Sequence, residues 1–200
     1  MSKGRLEAFT DGVVAILITI MVLELHTPEG EGWDALRPLA PVLLTYALSF
    51  IILGIYWNNH HHMLHASQRI NGRILWANLH LLFWLSLVPW LTRWMGESQL
   101  APMPTALYGV VLLLAAIAYT ILQTVILWEH GPDSTLAAAV GNDAKGRLSL
   151  VLYAVAVPLA FVNQWISAAL YVAVALMWLI PDRRIEKKLT EPERTSRSVS

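Results

Sequence analysis

The sequence contains no cysteine and little charge. Without cysteine, neither a disulfide framework nor a thiolate metal site can form. Only 14% of the 200 residues are charged, whereas about 25% is usual for a soluble domain. The formal net charge is zero, which argues against nucleic acid as a partner. With 56% hydrophobic residues and a mean hydropathy of +0.52, the chain is predicted to be an integral protein of a lipid bilayer.

Sequence signatures of enzymes and of several channel types are also missing. There is no Ser-His-Asp pattern, HExxH motif, glycine-rich phosphate loop or pair of intramembrane carboxylates. We therefore expect neither an enzyme nor a cofactor. No T-V-G-Y-G-like loop could supply a filter of carbonyl groups, and no apolar segment has the arginine repeat of a voltage sensor.

The apolar segments predict an all-α bundle of six membrane-spanning helices. Their approximate ranges are 4–26, 34–64, 70–95, 104–130, 145–162 and 165–181. The last two are separated only by the polar break FVNQW and should form a tight hairpin. We predict a transmembrane domain over residues 1–181 and a charged cytoplasmic tail over residues 182–200.

Basic residues are distributed unevenly between the two predicted sides of the membrane. Twelve Lys and Arg residues fall in the N-terminus, the second and fourth loops and the tail, against two, Arg37 and Arg93, on the other side. Cytoplasmic loops carry the excess of Lys and Arg in membrane proteins. The pattern predicts a multi-pass protein with both termini in the cytoplasm.

The first helix, RLEAFTDGVVAILITIMVLEL, has two different faces on a helical wheel of about 100° per residue. One face is a mostly apolar stripe formed by Phe9, Gly12, Ile16, Ile20 and Leu23, with Thr19 at its edge. Thr10 and Asp11 lie on the opposite side. Asp11 is six residues from Arg5, so the two cannot pair along the helix, and its partner should come from another helix. The alternative is that Asp11 extends to the cytoplasmic headgroups.

The start of this helix resembles a known family. Arg5, Phe9, Thr10 and Asp11 match the R-x-x-x-F-[ST]-D signature of the endosomal/lysosomal potassium channel family, transmembrane protein 175 and its bacterial relatives. Thr10 stands where Ser is more common, which retains the hydroxyl. The likeness extends to the six-span length and to the YWNNHHHMLH end of the second helix.

The resemblance implies a potassium-selective cation channel in the bacterial inner membrane. Bacterial members of the family have one six-span repeat and assemble as tetramers, with the first helix of each subunit lining a central pore. The hydrophobic constriction of that pore would map onto Ile16, Ile20 and Leu23. Thr19 would correspond to the pore-facing threonine associated with selectivity, and K⁺ would be the permeant ion.

The resemblance also implies that the first-helix motif packs against polar and aromatic residues of neighbouring helices. We expect Thr10 or Asp11 to hydrogen-bond with one of four candidates, which are Trp57, His61, Asn78 and His80. For the histidines of this segment we expect a structural role at the cytoplasmic end of the second helix, and the alternative for His60 and His62 is contact with solvated headgroups.

Two other functions remain open from the sequence. The NNHHHMLH segment could belong to a metal-dependent membrane enzyme, since His61 and His65 share one helical face. Such di-iron enzymes need about eight converging histidines, and this chain has seven in all. A proton-coupled secondary transporter would use an ionisable residue near the bilayer midplane, and no predicted span offers a convincing one.

Overall fold

A computed structural model describes residues 2–65, 67, 70–131 and 143–179, and within these ranges all regular secondary structure is helical. The helices are α1 Lys3–Leu23, α2 Trp33–Leu36, α3 Ala40–His65, α4 Gly72–Ser86, α5 Val88–Glu97, α6 Pro102–His130, α7 Ala144–Leu159 and α8 Gln164–Leu179. A short 3₁₀ helix, Arg37–Leu39, joins α2 to α3. The tail predicted over residues 182–200 lies outside the described residues.

All six predicted segments are helical, which confirms the all-α six-helix prediction. Four stretches are long and apolar enough to cross a membrane, namely Lys3–Leu23, Trp33–His65, Gly72–Glu97 and Pro102–His130. The final pair, α7 and α8, has 16 residues in each helix. At 1.5 Å per residue each is about 24 Å long, somewhat less than the ~30 Å hydrocarbon layer.

The third predicted span is not one continuous helix, as we had expected, but is broken at Leu87 between α4 and α5. The Leu87 amide bonds to the Trp84 carbonyl in a tighter turn, at 3.2 Å. Pro89 follows two residues later. Proline has no amide hydrogen, and its ring clashes with the carbonyl four residues earlier, so a regular helix cannot run through this point.

Other helix ends also differ from the prediction. The first helix ends at Leu23 rather than near residue 26, since the Leu25 amide turns back to the Val22 carbonyl at 3.2 Å. The second span begins with α2 and the 3₁₀ helix, where Pro38 favours a short first turn. The hairpin turn is as predicted, and the Asn163 side chain accepts from the Trp165 amide at 3.0 Å.

Helix α6 lies at the centre of the bundle, where it packs against α4, α5, α7 and α8. Leu112, Ala115, Ala118, Leu122 and Ile126 along it are fully buried. Helix α1, in contrast, lies at the edge and packs against α3, α4 and α5. One side of α1 therefore remains uncovered within a single subunit.

Candidate pore helix and its anchors

Helix α1 buries one face and exposes the other. The buried residues recur every three or four positions, and they are Leu6, Thr10, Val14, Leu17 and Met21. The predicted stripe lies on the other side: Ile16, Ile20 and Leu23 are 58%, 39% and 78% exposed. In a membrane-spanning chain such a stripe faces either lipid or another subunit, and its position on the motif-bearing helix makes it the candidate functional surface.

Thr19 is also exposed on this side of α1. Its hydroxyl donates to the Ala15 carbonyl one turn earlier, at 2.7 Å. A hydroxyl that donates one hydrogen bond keeps acceptor capacity on its oxygen. Thr19 can therefore present an oxygen atom to a cation without losing its own hydrogen bond. Phe9, at the other end of the stripe, is about half exposed.

A buried chain of hydrogen bonds holds the N-terminal half of α1. The Asn78 amide on α4 donates to the Thr10 hydroxyl at 3.0 Å, and the Asn78 oxygen lies 2.7 Å from Nε2 of His60 on α3. With that oxygen accepting, His60 carries its hydrogen on Nε2. All three side chains are at most 3% exposed. These two hydrogen bonds therefore join α1, α3 and α4.

Asp11 has its partner on α3. The Trp57 indole nitrogen donates to a carboxylate oxygen of Asp11 at 2.8 Å, in an exposed position. Trp57 in turn stacks on His61 with ring centroids 6.4 Å apart, and His61 stacks on His65 at 6.1 Å. We call the five hydrogen-bonded residues of α1, α3 and α4 the N-terminal anchor: Thr10, Asp11, Trp57, His60 and Asn78.

Two of the four expected partners do not bond to α1. His61 reaches the motif only through its stack on Trp57. His80 accepts from the Trp84 indole at 2.9 Å, one turn along its own helix. Within the described ranges, the Arg5 side chain forms no hydrogen bond or ion pair, although Arg5 belongs to the motif.

Of the two interpretations of His60, the structure excludes headgroup contact, because the side chain is buried in the N-terminal anchor. The spacing of His60 along α3 could have predicted its burial. Ile52 and Leu53 lie two turns before it, and Met63 and Leu64 one turn after it, and all four are buried. A residue placed among these aliphatic positions at helical spacing faces the core.

A second cluster, which the sequence analysis missed, holds the other end of α1. Arg93 on α5 donates to Glu24, directly after α1, at 2.9 Å, and to Glu97 on its own helix at 2.8 Å. His26 lies 3.9 Å from Glu97. All these side chains are partly or largely exposed. We call Glu24, Arg93 and Glu97 the C-terminal anchor. The sequence placed Glu24 and Arg93 at the same membrane level, which could have suggested the pair.

The histidine segment does not form a metal centre in the part of the chain that the structure describes. No group of three or more His, Cys, Asp or Glu side chains there could hold a metal ion. His61, His62 and His65 are exposed and contact one another through their rings.

The candidate pore helix has no site for a proton-coupled transporter along its exposed stripe. Along α1, the residues from Gly12 to Leu23 include no ionisable side chain.

The chain is similar to known ion channels in sequence and in structure. A family profile described as endosomal/lysosomal potassium channel TMEM175 matches residues 5–89. A potassium channel of Chryseobacterium sp. (strain P1-3) is 53% identical over 191 residues, covering 96% of this chain and 100% of the relative. The crystal structure of a lysosomal potassium-selective channel TMEM175 homolog from Chamaesiphon minutus matches with a TM-score of 0.77 at 28% identity, covering 89% of this chain and 96% of that one.

Vertebrate relatives are named for a different activity. The human protein, named endosomal/lysosomal proton channel TMEM175, is 33% identical over 96 residues, which are 42% of this chain and 19% of the human one. The similarity to vertebrate relatives is therefore partial, whereas the similarity to the bacterial potassium channels extends over nearly the whole chain.

Proposed function

Since the chain belongs to the TMEM175 family of ion channels, which are not enzymes, we propose that it conducts potassium through a central pore lined by α1. The observation that carries the proposal is the exposed stripe of Ile16, Ile20 and Leu23 on a helix fixed at both ends. An uncovered apolar stripe at the edge of a subunit requires either lipid or other subunits around it. The bacterial relatives, named potassium channels, favour a pore.

The pore requires several copies of the chain, because each copy contributes one α1. We propose a homotetramer in a bacterial inner membrane, with both termini in the cytoplasm and residues 182–200 as a cytoplasmic tail. The loops on the same side of the membrane as the N-terminus carry the excess of basic residues, which supports this orientation. No cofactor is needed, because conduction depends on the shape and wetting of the pore.

The constriction would act as a hydrophobic gate. From Ile16 to Leu23 is about 10 Å along the helix at 1.5 Å per residue. Rings of aliphatic side chains over that length exclude water when the pore is narrow and admit it when the helices move apart. Thr19 lies between the Ile16 and Ile20 levels of α1 and would offer a ring of oxygen atoms to a partly dehydrated K⁺.

The test is to replace Ile16 with asparagine in purified protein reconstituted into liposomes. A polar side chain at the constriction stabilises water there, so K⁺ flux should rise. Lowering the barrier by about 1.4 kcal/mol would raise flux about tenfold. Val22→Asn is the matched control, since Val22 is a similarly exposed aliphatic residue of α1 that lies about 120° from Ile16 on the wheel.

Equal flux in the wild type and in Ile16→Asn would rule out a gate at this position. An increase of the same size in Val22→Asn would show a general defect of α1 rather than a constriction. The reversal potential under opposed K⁺ and Na⁺ gradients measures selectivity in the same vesicles. The mass of the purified particle, measured before reconstitution, gives the number of subunits.

Proton conduction is a second candidate, since the vertebrate relatives are named proton channels. Between Asp11 and Leu23, α1 carries no ionisable side chain that could relay a proton. Protons would therefore have to cross the constriction through a transient chain of water molecules. A reversal potential that follows the pH gradient and not the K⁺ gradient would select this candidate.

A further inference from the structure

Helix α5 has one buried face and one partly exposed face that reaches the end of α1. Its buried residues are Val88, Pro89, Leu91, Thr92, Met95 and Gly96. Arg93 and Glu97, which belong to the C-terminal anchor, are partly exposed on another side of the helix. At about 100° per residue, Arg93 lies about 100° and Glu97 about 140° from Thr92 on the helical wheel.

Three buried hydroxyl groups form a chain that ends on the backbone of α5. The Thr92 hydroxyl donates to the Val88 carbonyl at 2.8 Å, so its only hydrogen is used. It therefore accepts from the Ser49 hydroxyl, at 2.6 Å, and Ser49 in turn accepts from Tyr108, at 2.8 Å. The three side chains are at most 5% exposed. We call Tyr108, Ser49 and Thr92 the hydroxyl chain.

The hydroxyl chain connects α5 to two other helices, since Ser49 belongs to α3 and Tyr108 to α6. Buried hydrogen-bonded groups are costly to separate, because no water is at hand to replace the lost partner. Helix α5 has only 10 residues and is separated from α4 by the break at Leu87. The position of α5 therefore depends on its contacts with α3 and α6 more than on the chain that leads into it.

Gly96, one turn after Thr92, brings α5 close to the backbone of α3. A β-carbon added at this position would lie 2.8 Å from the Val42 α-carbon and 2.7 Å from the Thr45 hydroxyl oxygen. A methyl group would fit there only if one of the two helices moved. We call the hydroxyl chain and the Gly96 contact together the α5 clamp. The clamp holds one face of α5 at two successive turns.

The partly exposed face of α5 connects this clamp to α1. The Arg93 guanidinium donates to Glu24, directly after the last residue of α1, at 2.9 Å. It also donates to Glu97, one turn along α5, at 2.8 Å. This second bond holds the guanidinium against α5, so the guanidinium moves with the helix. The point at which the end of α1 meets Arg93 is therefore set by where the clamp holds α5.

We propose that the α5 clamp positions the C-terminal end of α1 through Arg93. The members of the clamp are positioning residues, and they keep α5 in place as a fixed support for the outer end of the candidate pore helix. The consequence for ion flow rests on the proposed function. With the support intact, Leu23 stays at the narrow position of the constriction, and displacement of α5 allows the end of α1 to move outward.

The position of the end of α1 can be measured without ion flux, by thiol labelling of purified protein. The chain has no cysteine, so Leu25→Cys adds a single thiol at a partly buried residue directly after Glu24. In this background Gly96→Ala should raise the rate of reaction with a maleimide by up to about fivefold, the limit set by a weak exposed ion pair. Gly54→Ala is the matched control, because a β-carbon at Gly54 in α3 meets nothing within 4 Å.

Arg93→Gln should raise the labelling rate in the same way, because it removes the link between α5 and α1. If the clamp acts through Arg93, Gly96→Ala should add little to the effect of Arg93→Gln. Thr92→Val keeps the shape of the side chain and removes its hydroxyl, so it tests the clamp even if Gly96→Ala does not fold. Thr92→Val should raise the rate, and Thr92→Ser, which keeps the hydroxyl, should not.

The same variants in liposomes test the consequence for conduction. Gly96→Ala and Thr92→Val should raise K⁺ flux by up to about fivefold, and Gly54→Ala should not. Equal labelling rates in Gly96→Ala and Gly54→Ala would overturn the inference, as would effects of Gly96→Ala and Arg93→Gln that multiply fully. Faster labelling without a change in flux would support the α5 clamp and count against the proposed constriction at Leu23.

Discussion

The two ends of α1 are held by different kinds of interaction. The N-terminal anchor is largely buried and depends on neutral hydrogen bonds through Asn78, with one exposed bond to Asp11. The C-terminal anchor consists of partly exposed ion pairs through Arg93. Breaking a buried hydrogen bond leaves unpaired polar groups, at about 1–3 kcal/mol each. Exposed ion pairs contribute only about 0–1 kcal/mol and are weakened by salt.

This difference suggests how α1 could move. The N-terminal end should act as a fixed pivot, since its contacts are costly to break. The C-terminal end, which carries Leu23, should move more easily. When its exposed ion pairs separate, water can solvate the charged side chains at little cost in free energy. On the proposed function, opening would begin at the Leu23 level of the constriction and proceed towards Ile16.

The largest effect is expected from removing the centre of the N-terminal anchor. Asn78→Ala leaves the Thr10 hydroxyl and the His60 ring buried without their partner, so we expect a loss of about 2–4 kcal/mol in unfolding free energy. Denaturant-induced unfolding in detergent measures it. Asn58→Ala is the control, because Asn58 is exposed and its side chain has no hydrogen bond in the described ranges. Equal losses in the two variants would contradict a special role for the buried chain.

A smaller effect is expected at the exposed half of the same anchor. Trp57→Phe keeps an aromatic ring beside His61 and removes the bond to Asp11, for an expected loss of about 1 kcal/mol. A double-mutant cycle with Asp11→Ala isolates the pair, since the combined loss should be less than the sum of the single losses. Trp128→Phe, at a highly exposed position, should cost little. Additive losses would show that the bond contributes nothing.

The smallest effect is expected at the C-terminal anchor. Arg93→Gln should reduce the unfolding free energy by less than about 1 kcal/mol at low salt, and the difference should shrink as salt is added. Arg37→Gln breaks a similar exposed pair with Asp34 that does not involve α1. If Arg93→Gln costs as much as Asn78→Ala, the two ends of α1 do not differ as described.

Part of this site was predictable, and the reason is periodicity. The stripe of Ile16, Ile20 and Leu23 follows from helical spacing alone, and the structure places it on the exposed side of the subunit. The bonds of Asp11 and Thr10 to Trp57 and Asn78 were among the expected alternatives, but spacing on α1 could not choose between them. His60 and Arg93 were missed because their partners lie on other helices, at distances along the chain that no local pattern records.

The sequence by itself determined the membrane character, the helical segments and the two faces of α1. These properties depend on composition and on neighbours three or four residues away, which the chain carries explicitly. The tertiary structure decided which polar groups meet and where the third span breaks. These depend on how helices far apart in sequence approach one another, because a hydrogen bond forms only when both partners are brought within about 3 Å.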